Sequence, residues 1–247
     1  MNRGVRAAAG TFGATALLAA GLVSPAWAAP RAAGTEQASK GCTNSGTVPK
    51  GARTVSIGDV DHDGKADTAF YAAVPGTTDA QGHYDYGIHT AAGGVIKVRD
   101  RMTGDRVHSG WFSATDGMGF VAVIDDTETA TLYAFRGCKL IQPHHVGGGP
   151  YVMKIGRTAK PGTGVACNDE NGGVLLERAT ARKRSNGNYD ILRTIIDVSA
   201  DGKTARQQSG PGSTEVRWSN LKPSDIRVQQ ARGSYCNDVP KVDARID

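Results

Sequence analysis

The chain has 247 residues, 33 of them glycine and 10 proline, and a formal charge of +5 from 29 Lys and Arg against 24 Asp and Glu. The basic residues are scattered apart from Arg182-Lys183-Arg184, which excludes a dedicated nucleic-acid binder with its cations gathered on one face. After the N-terminal leader no stretch is apolar for long enough to span a bilayer, and the frequent glycine-centred turns favour short strands over helices.

Residues 1–28 read as a signal peptide. Arg3 and Arg6 make a basic start, Ala14–Val23 is a short apolar stretch, and Ala26-Trp27-Ala28 has the small-x-small form of a cleavage site. The two arginines are not adjacent, which points to the general secretory route rather than the twin-arginine one. Cys42 lies too far from the apolar stretch to carry a lipid. The expected product is a secreted, extracellular protein without a membrane span, and the alanine-rich leader suits a Gram-positive bacterium. The expected organisation is a flexible segment over residues 29–50, a β-rich domain over 51–238 and a loose polar tail over 239–247.

Strand signals then follow one another at short spacing. Thr54–Val74 is a strand, an acidic loop and a second strand. Tyr84–His89 and Val95–Arg99 flank Ala91-Ala92-Gly93-Gly94 as a hairpin. Gly110–Ala114 and Phe120–Asp125 are short strands. Thr129–Arg136 alternates, with Leu132, Ala134 and Arg136 on one face and Tyr133 and Phe135 on the other. Leu140-Ile141 follows a tight turn, and Pro143–Pro150 is a glycine-rich surface loop whose adjacent His144 and His145 point apart. Further strands are expected at Gly164–Ala166, Val174–Glu177, Ile191–Ile196, Thr204–Gln208, Thr214–Trp218 and Ile226–Gln230. Arg182-Lys183-Arg184 reads as a solvated turn between strands.

The acidic loop is Gly58-Asp-Val-Asp-His-Asp-Gly-Lys-Ala-Asp67. Asp59, Asp61, Asp63 and Asp67 occupy positions 1, 3, 5 and 9 of a metal loop. Gly64 provides the sharp turn at position 6, and Lys65 at position 7 offers its backbone carbonyl. Hard carboxylate oxygens at this spacing suit Ca²⁺ better than a soft metal. A helix-flanked calcium hand would need Glu at position 12, where Phe70 stands, and both flanks are rich in β-branched and aromatic residues. The spacing therefore predicts a calcium loop between two strands, with an acidic turn that holds no metal as the alternative.

This stretch resembles the FG-GAP/VCBS repeat of integrin-like β-propellers, whose core runs roughly Gly-Asp-x-Asp-x-Asp-Gly-x-x-Asp. The resemblance implies a bladed β-fold with one Ca²⁺ per intact loop. A second, degenerate copy aligns at Ala166–Leu175, with Asp169, Asn171 and Gly172 on Asp61, Asp63 and Gly64. Asp197–Lys203 keeps two acids and reads as a plain Asp-Gly hairpin turn. The chain is too short for seven four-stranded blades. The expected fold is all-β: antiparallel blade-like sheets in a small or incomplete β-propeller, with a β-sandwich as the alternative.

Four cysteines in an exported chain imply two disulfides with three possible connectivities. The expected pairing joins Cys138 to Cys167 between neighbouring strands and Cys42 to Cys236 between the two ends. No Gly-x-Ser-x-Gly elbow or His-Glu-x-x-His helix is present. Val107-His108-Ser109 sets His beside Ser, but sequence neighbours rarely form a triad. Trp111, Trp218 and Tyr84 offer either a sugar platform or core packing, and packing is the simpler reading. The expected function is a secreted, non-enzymatic binding or scaffold module whose Ca²⁺ stiffens a loop, its partner an extracellular protein or glycan. The alternatives are an exported hydrolase with a site assembled from distant residues, and a cell-wall or polysaccharide-binding protein.

Overall fold

Runs of β-branched and aromatic residues, broken by Gly and Asp turns, fold into strands that mostly pair with their neighbours in sequence. A computed structural model describes residues 40–74, 76, 82–101, 108–115, 119–126, 128–156, 162–170, 173–236 and 239–244. The predicted leader lies outside them. The described residues form an all-β protein of three sheets with no closed barrel.

The first sheet is an antiparallel meander of β1 (Arg53–Gly58), β2 (Asp67–Ala73), β3 (His83–His89) and β4 (Val95–Arg101), the form of a single blade. The second is built on β5 (His108–Thr115), β6 (Gly119–Asp125), β7 (Thr129–Arg136) and β8 (Lys139–Ile141). The short β9 (His144–His145) leaves it to join the third sheet, and β10 (Val152–Lys154) returns to pair with β7. The third sheet holds β11 (Gly162–Glu170), β12 (Gly173–Lys183), β13 (Tyr189–Val198), β14 (Thr204–Gln207) and β15 (Thr214–Leu221). After the helix α1 (Ile226–Gln230), β16 (Ser234–Cys236) runs parallel to β11, and β17 (Lys241–Ala244) crosses to the second sheet beside β5. No helix of the described residues is long and apolar enough to cross a membrane.

The second sheet lies between the other two and is buried on both faces. One face sends Phe112, Ala122, Ile124 and Phe135 toward Tyr71, Tyr86 and Ile88 of the first sheet. The other sends Trp111, Val121, Val123 and Leu132 toward Val165, Leu176 and Ile196 of the third. This is why the run at 121–124 is apolar throughout, and why both faces of β7 carry hydrophobic residues. The layers approach closely: a β-carbon at Gly110 would lie 2.2 Å from the Tyr86 ring. Trp111 and Tyr84 are core residues, whereas Trp218 is only half-buried.

Several expectations need correction. The disulfides join Cys42 to Cys138 and Cys167 to Cys236, because Cys236 stands directly opposite Cys167 in the parallel pair and the turn at Cys138 faces the segment that carries Cys42. That segment is tied down at Cys42, which is buried, so residues 41–44 are not a loose extension of the chain. Residues 241–244 are not a loose tail either, since Val242 and Ala244 bury into the first core. Ile226–Gln230 is helical: the Asp225 side chain caps the Arg227 N–H at 3.0 Å and only Val228 is buried, leaving Ile226 65% exposed. The second loop copy keeps its two flanking strands, β11 and β12, which pair as a hairpin. β11 runs straight through Asp169 to pair Glu170 with Gly173, and the Asn171 and Gly172 of that alignment lie outside the described residues.

The basic cluster at the β12–β13 turn has a structural partner. Arg182 and Arg184 each reach the buried Asp190 at 3.1 Å, which also accepts from the Asn220 N–H at 3.1 Å and the Ser219 hydroxyl at 2.9 Å. The Asn220 amide, then Ser219 and the arginines, hold the Asp190 carboxyl below the usual carboxylate range. A depressed folded value contributes stability that is present above the unfolded value and is lost as pH falls below it. Melting of the wild type should therefore drop on acidification below about pH 4, and Asp190→Asn should melt lower at neutral pH with a shallower acid slope. Parallel slopes for the two proteins between about pH 5 and 2 would show that Asp190 contributes nothing to acid sensitivity.

Candidate metal centre

The acidic loop joins β1 to β2 at one end of the first sheet. Its tight course needs left-handed backbone at three points, Gly58 with φ 80°, His62 with φ 61° and Gly64 with φ 86°. His62 is exposed, as its place between ligand positions predicts. Backbone N–H groups fix the carboxylates. Asp59 accepts from Asp63 at 3.1 Å and Gly64 at 2.8 Å, and Asp63 accepts from Lys65 at 2.8 Å. Asp67 accepts from Val60 at 2.8 Å through Oδ2 and from Ala91 at 2.9 Å through Oδ1.

One oxygen each from Asp59, Asp61 and Asp67 lies within 4.8 Å of the others. Two oxygens on opposite sides of a Ca²⁺ bound at 2.3–2.6 Å stand about 4.6–5.2 Å apart, so this trio is close enough to share one ion. Asp61 and Asp67 are buried, and Asp59 is half-buried. Asp63 flanks the trio: its Oδ2 and that of Asp61 both approach Gly41, 3.0 and 3.1 Å from where a β-carbon would sit. The Lys65 side chain is exposed. Burial pushes the Asp67 carboxyl above the ordinary range, the Ala91 and Val60 amides oppose this, and the charges of Asp61 and Asp63 add to it. Hard, anionic, crowded and pre-positioned oxygens fit a hard divalent cation.

The loop is braced by a segment that sequence reasoning overlooked. The Cys42 N–H donates to Asp61 Oδ2 at 2.6 Å, and the Cys42 carbonyl accepts from Thr90 Oγ1 at 2.6 Å. The Val95 N–H donates to the Asn44 carbonyl at 3.0 Å, so residues 42–44 lie along the β3–β4 turn. Gly94 permits this approach, since a β-carbon there would stand 2.1 Å from the Cys42 carbonyl oxygen. The Cys42–Cys138 bridge then carries the acidic loop's support across to the β7–β8 turn of the second sheet. These contacts run through peptide groups and a small residue, so the only signal for them in the sequence is the even cysteine count.

A second polar group lies between the first two sheets. The Tyr71 hydroxyl donates to Asp100, whose Oδ2 also meets His108 Nδ1 at 2.5 Å. Burial first, and then the Asp100 charge, push the Tyr71 phenol upward, so it stays protonated and acts as a donor. Tyr71 and His108 are both buried. His108 is thus oriented by Asp100 from the neighbouring sheet, and Val107 of the sequence trio lies outside the described residues.

Comparison with known proteins finds no matching family model, no similar curated protein and no similar solved structure. Two disulfides match the chemistry of an oxidising compartment.

Proposed function

We propose that this protein is a secreted, calcium-stabilised β-scaffold that binds an extracellular protein or glycan. The observation that carries the metal half of this reading is the convergence of Asp59, Asp61 and Asp67 within 4.8 Å beside the Cys42 brace. Asp63 and the Lys65 carbonyl would complete the ligand set, in the manner of the FG-GAP/VCBS loop that the stretch resembles. A bound ion would supply positive charge to the crowded carboxylates of Asp59, Asp61 and Asp67. By holding the loop it would hold three segments at once: the β1–β2 connection, the β3–β4 turn through Ala91, and residues 41–44 through Cys42. Leader-like residues 1–28 and the two disulfides support export, where calcium is plentiful and extracellular modules bind it at about 10⁻⁴–10⁻³ M.

Thermal unfolding with calcium and with chelator tests this. At about 100 times the dissociation constant the ion adds about 2.7 kcal/mol, which for a domain of this size raises the melting temperature by about 5–10 °C. The variant Asp59→Asn, Asp61→Asn should lose that rise, and magnesium should not reproduce it, because it needs a tighter octahedral shell. Equal melting of the wild type in calcium and in chelator would sink the metal assignment.

A further inference from the structure

The face of the third sheet that meets the second carries a polar group at the margin of the core. Leu176 of β12 and Ala205 of β14 point into that core, so Arg178 and Gln207, two positions further along each strand, share their face. Tyr151, just before β10, is 1% exposed and belongs to the same core. We propose that Tyr151, Arg178 and Gln207 form a binding site for a small tetrahedral oxyanion of the phosphate type.

The hydrogen bonds that these side chains leave unmade carry the assignment. The Tyr151 hydroxyl is buried and has no hydrogen-bond partner among the described residues. A polar group left in that state is costly, so it marks a place for a partner. The Gln207 side chain stands near enough to favour the ionised phenol, as does the Arg178 charge, but it does not reach hydrogen-bond geometry. Arg178 is half-buried, and its guanidinium makes one hydrogen bond among the described residues, from Nη1 to Gln207 Oε1 at 3.3 Å. A guanidinium carries five donors, so most of them are unused, and no carboxylate of the described residues answers the charge.

What the group offers is donors: the remaining Arg178 N–H groups, the Tyr151 O–H and the Gln207 amide nitrogen. A cation would meet the Arg178 charge, and an apolar ligand would leave the buried hydroxyl unanswered. An oxyanion answers all three side chains and neutralises the guanidinium, with which it forms strong charge-assisted bonds. The donors come from three elements, β12, β14 and the chain ahead of β10. Oxygens that point in several directions suit them better than the two coplanar oxygens of a carboxylate. Burial pushes the Tyr151 phenol upward, so it keeps the proton it would donate. The exposed His145 ring packs against that of Tyr151, 4.5 Å between centres, and brings no negative charge.

Titration calorimetry of the full chain with inorganic phosphate tests the assignment. Constant ionic strength and a chelator keep calcium out of solution and out of the acidic loop, so the result is independent of the metal reading. Phosphate should bind saturably at one site and more tightly than acetate. Arg178→Gln should weaken it at least about tenfold, the effect of one charge-assisted hydrogen bond. Tyr151→Phe should also weaken it, yet without phosphate it should melt no lower than the wild type, because the hydroxyl it removes has no partner there. Failure of phosphate to saturate the wild type, or acetate binding equally well, would overturn the proposal, and neither comparison needs a variant to fold. Wild-type affinity in Tyr151→Phe would place the ion elsewhere and overturn it. Lower melting of Tyr151→Phe in phosphate-free buffer would show that a buried water already serves the hydroxyl, which would also overturn it.

Discussion

Replacing Cys42 and Cys138 together by serine should cost about 4 kcal/mol of stability and weaken the calcium response as well. The bridge closes a span of 96 residues, and a loop of that size corresponds to about 4–5 kcal/mol in the chain-entropy treatment. The second effect follows from position. Cys42 holds Asp61 through its N–H and Thr90 through its carbonyl, so loss of the bridge releases the brace behind the acidic loop. The control is Cys167→Ser with Cys236→Ser, which removes a bridge of comparable span, 69 residues, far from that loop. It should destabilise by a similar amount yet leave the calcium-induced shift intact. Denaturant unfolding of both double variants, with calcium and with chelator, separates the two effects. An unchanged calcium shift in the Cys42, Cys138 variant would show that the brace does not set the geometry of the loop.

Trp111→Ala should cost about 3–5 kcal/mol, the range for deleting a large buried aromatic. Trp111 is 1% exposed and fills the space between the second and third sheets. Its Nε1 donates to Ser234 Oγ at 2.6 Å, so truncation also takes away a hydrogen bond between β5 and β16. Trp111→Phe keeps most of the apolar contact and loses the donor, so its expected cost is about 1–2 kcal/mol. Urea unfolding measures both. A loss below about 1 kcal/mol for Trp111→Ala would mean that the layers do not depend on this side chain.

The all-β architecture is legible in the sequence wherever a strand's own residues carry the signal. Thr54-Val-Ser-Ile57, Leu132 to Phe135 and Ile191 to Ile196 are β-branched or alternate cleanly, and each forms a strand. Short elements are harder. Ile226 and Val228 alternate as in a strand, but a helix of five residues is too brief to display its own period, and the cue lies in the cap, Asp225 after Pro223 and Ser224. Lys241–Ala244 looks polar because only Val242 and Ala244 face inward. The acidic loop is legible because its carboxylates are close in sequence. Its brace is not, because Cys42 reaches Asp61 through a peptide N–H that almost any residue possesses. Disulfide connectivity is a property of the tertiary fold: Cys167 meets Cys236 only because β16 comes back parallel to β11.

The strand at Lys241–Ala244 bears on the order in which the chain can assemble. It pairs Lys241 with Trp111, at the margin of the central layer. During synthesis the first sheet, whose strands follow one another directly, has all its partners early. The central layer does not: until residue 244 emerges, β5 presents a row of open peptide groups, and the pocket for Val242 and Ala244 stands wet. Pairings between such distant positions form slowly because a long loop must close first. Fragments ending before position 241 therefore carry a sticky edge and an unfinished core. Nascent chains of this protein have reason to be kept unfolded, or chaperoned, until the last strand is available.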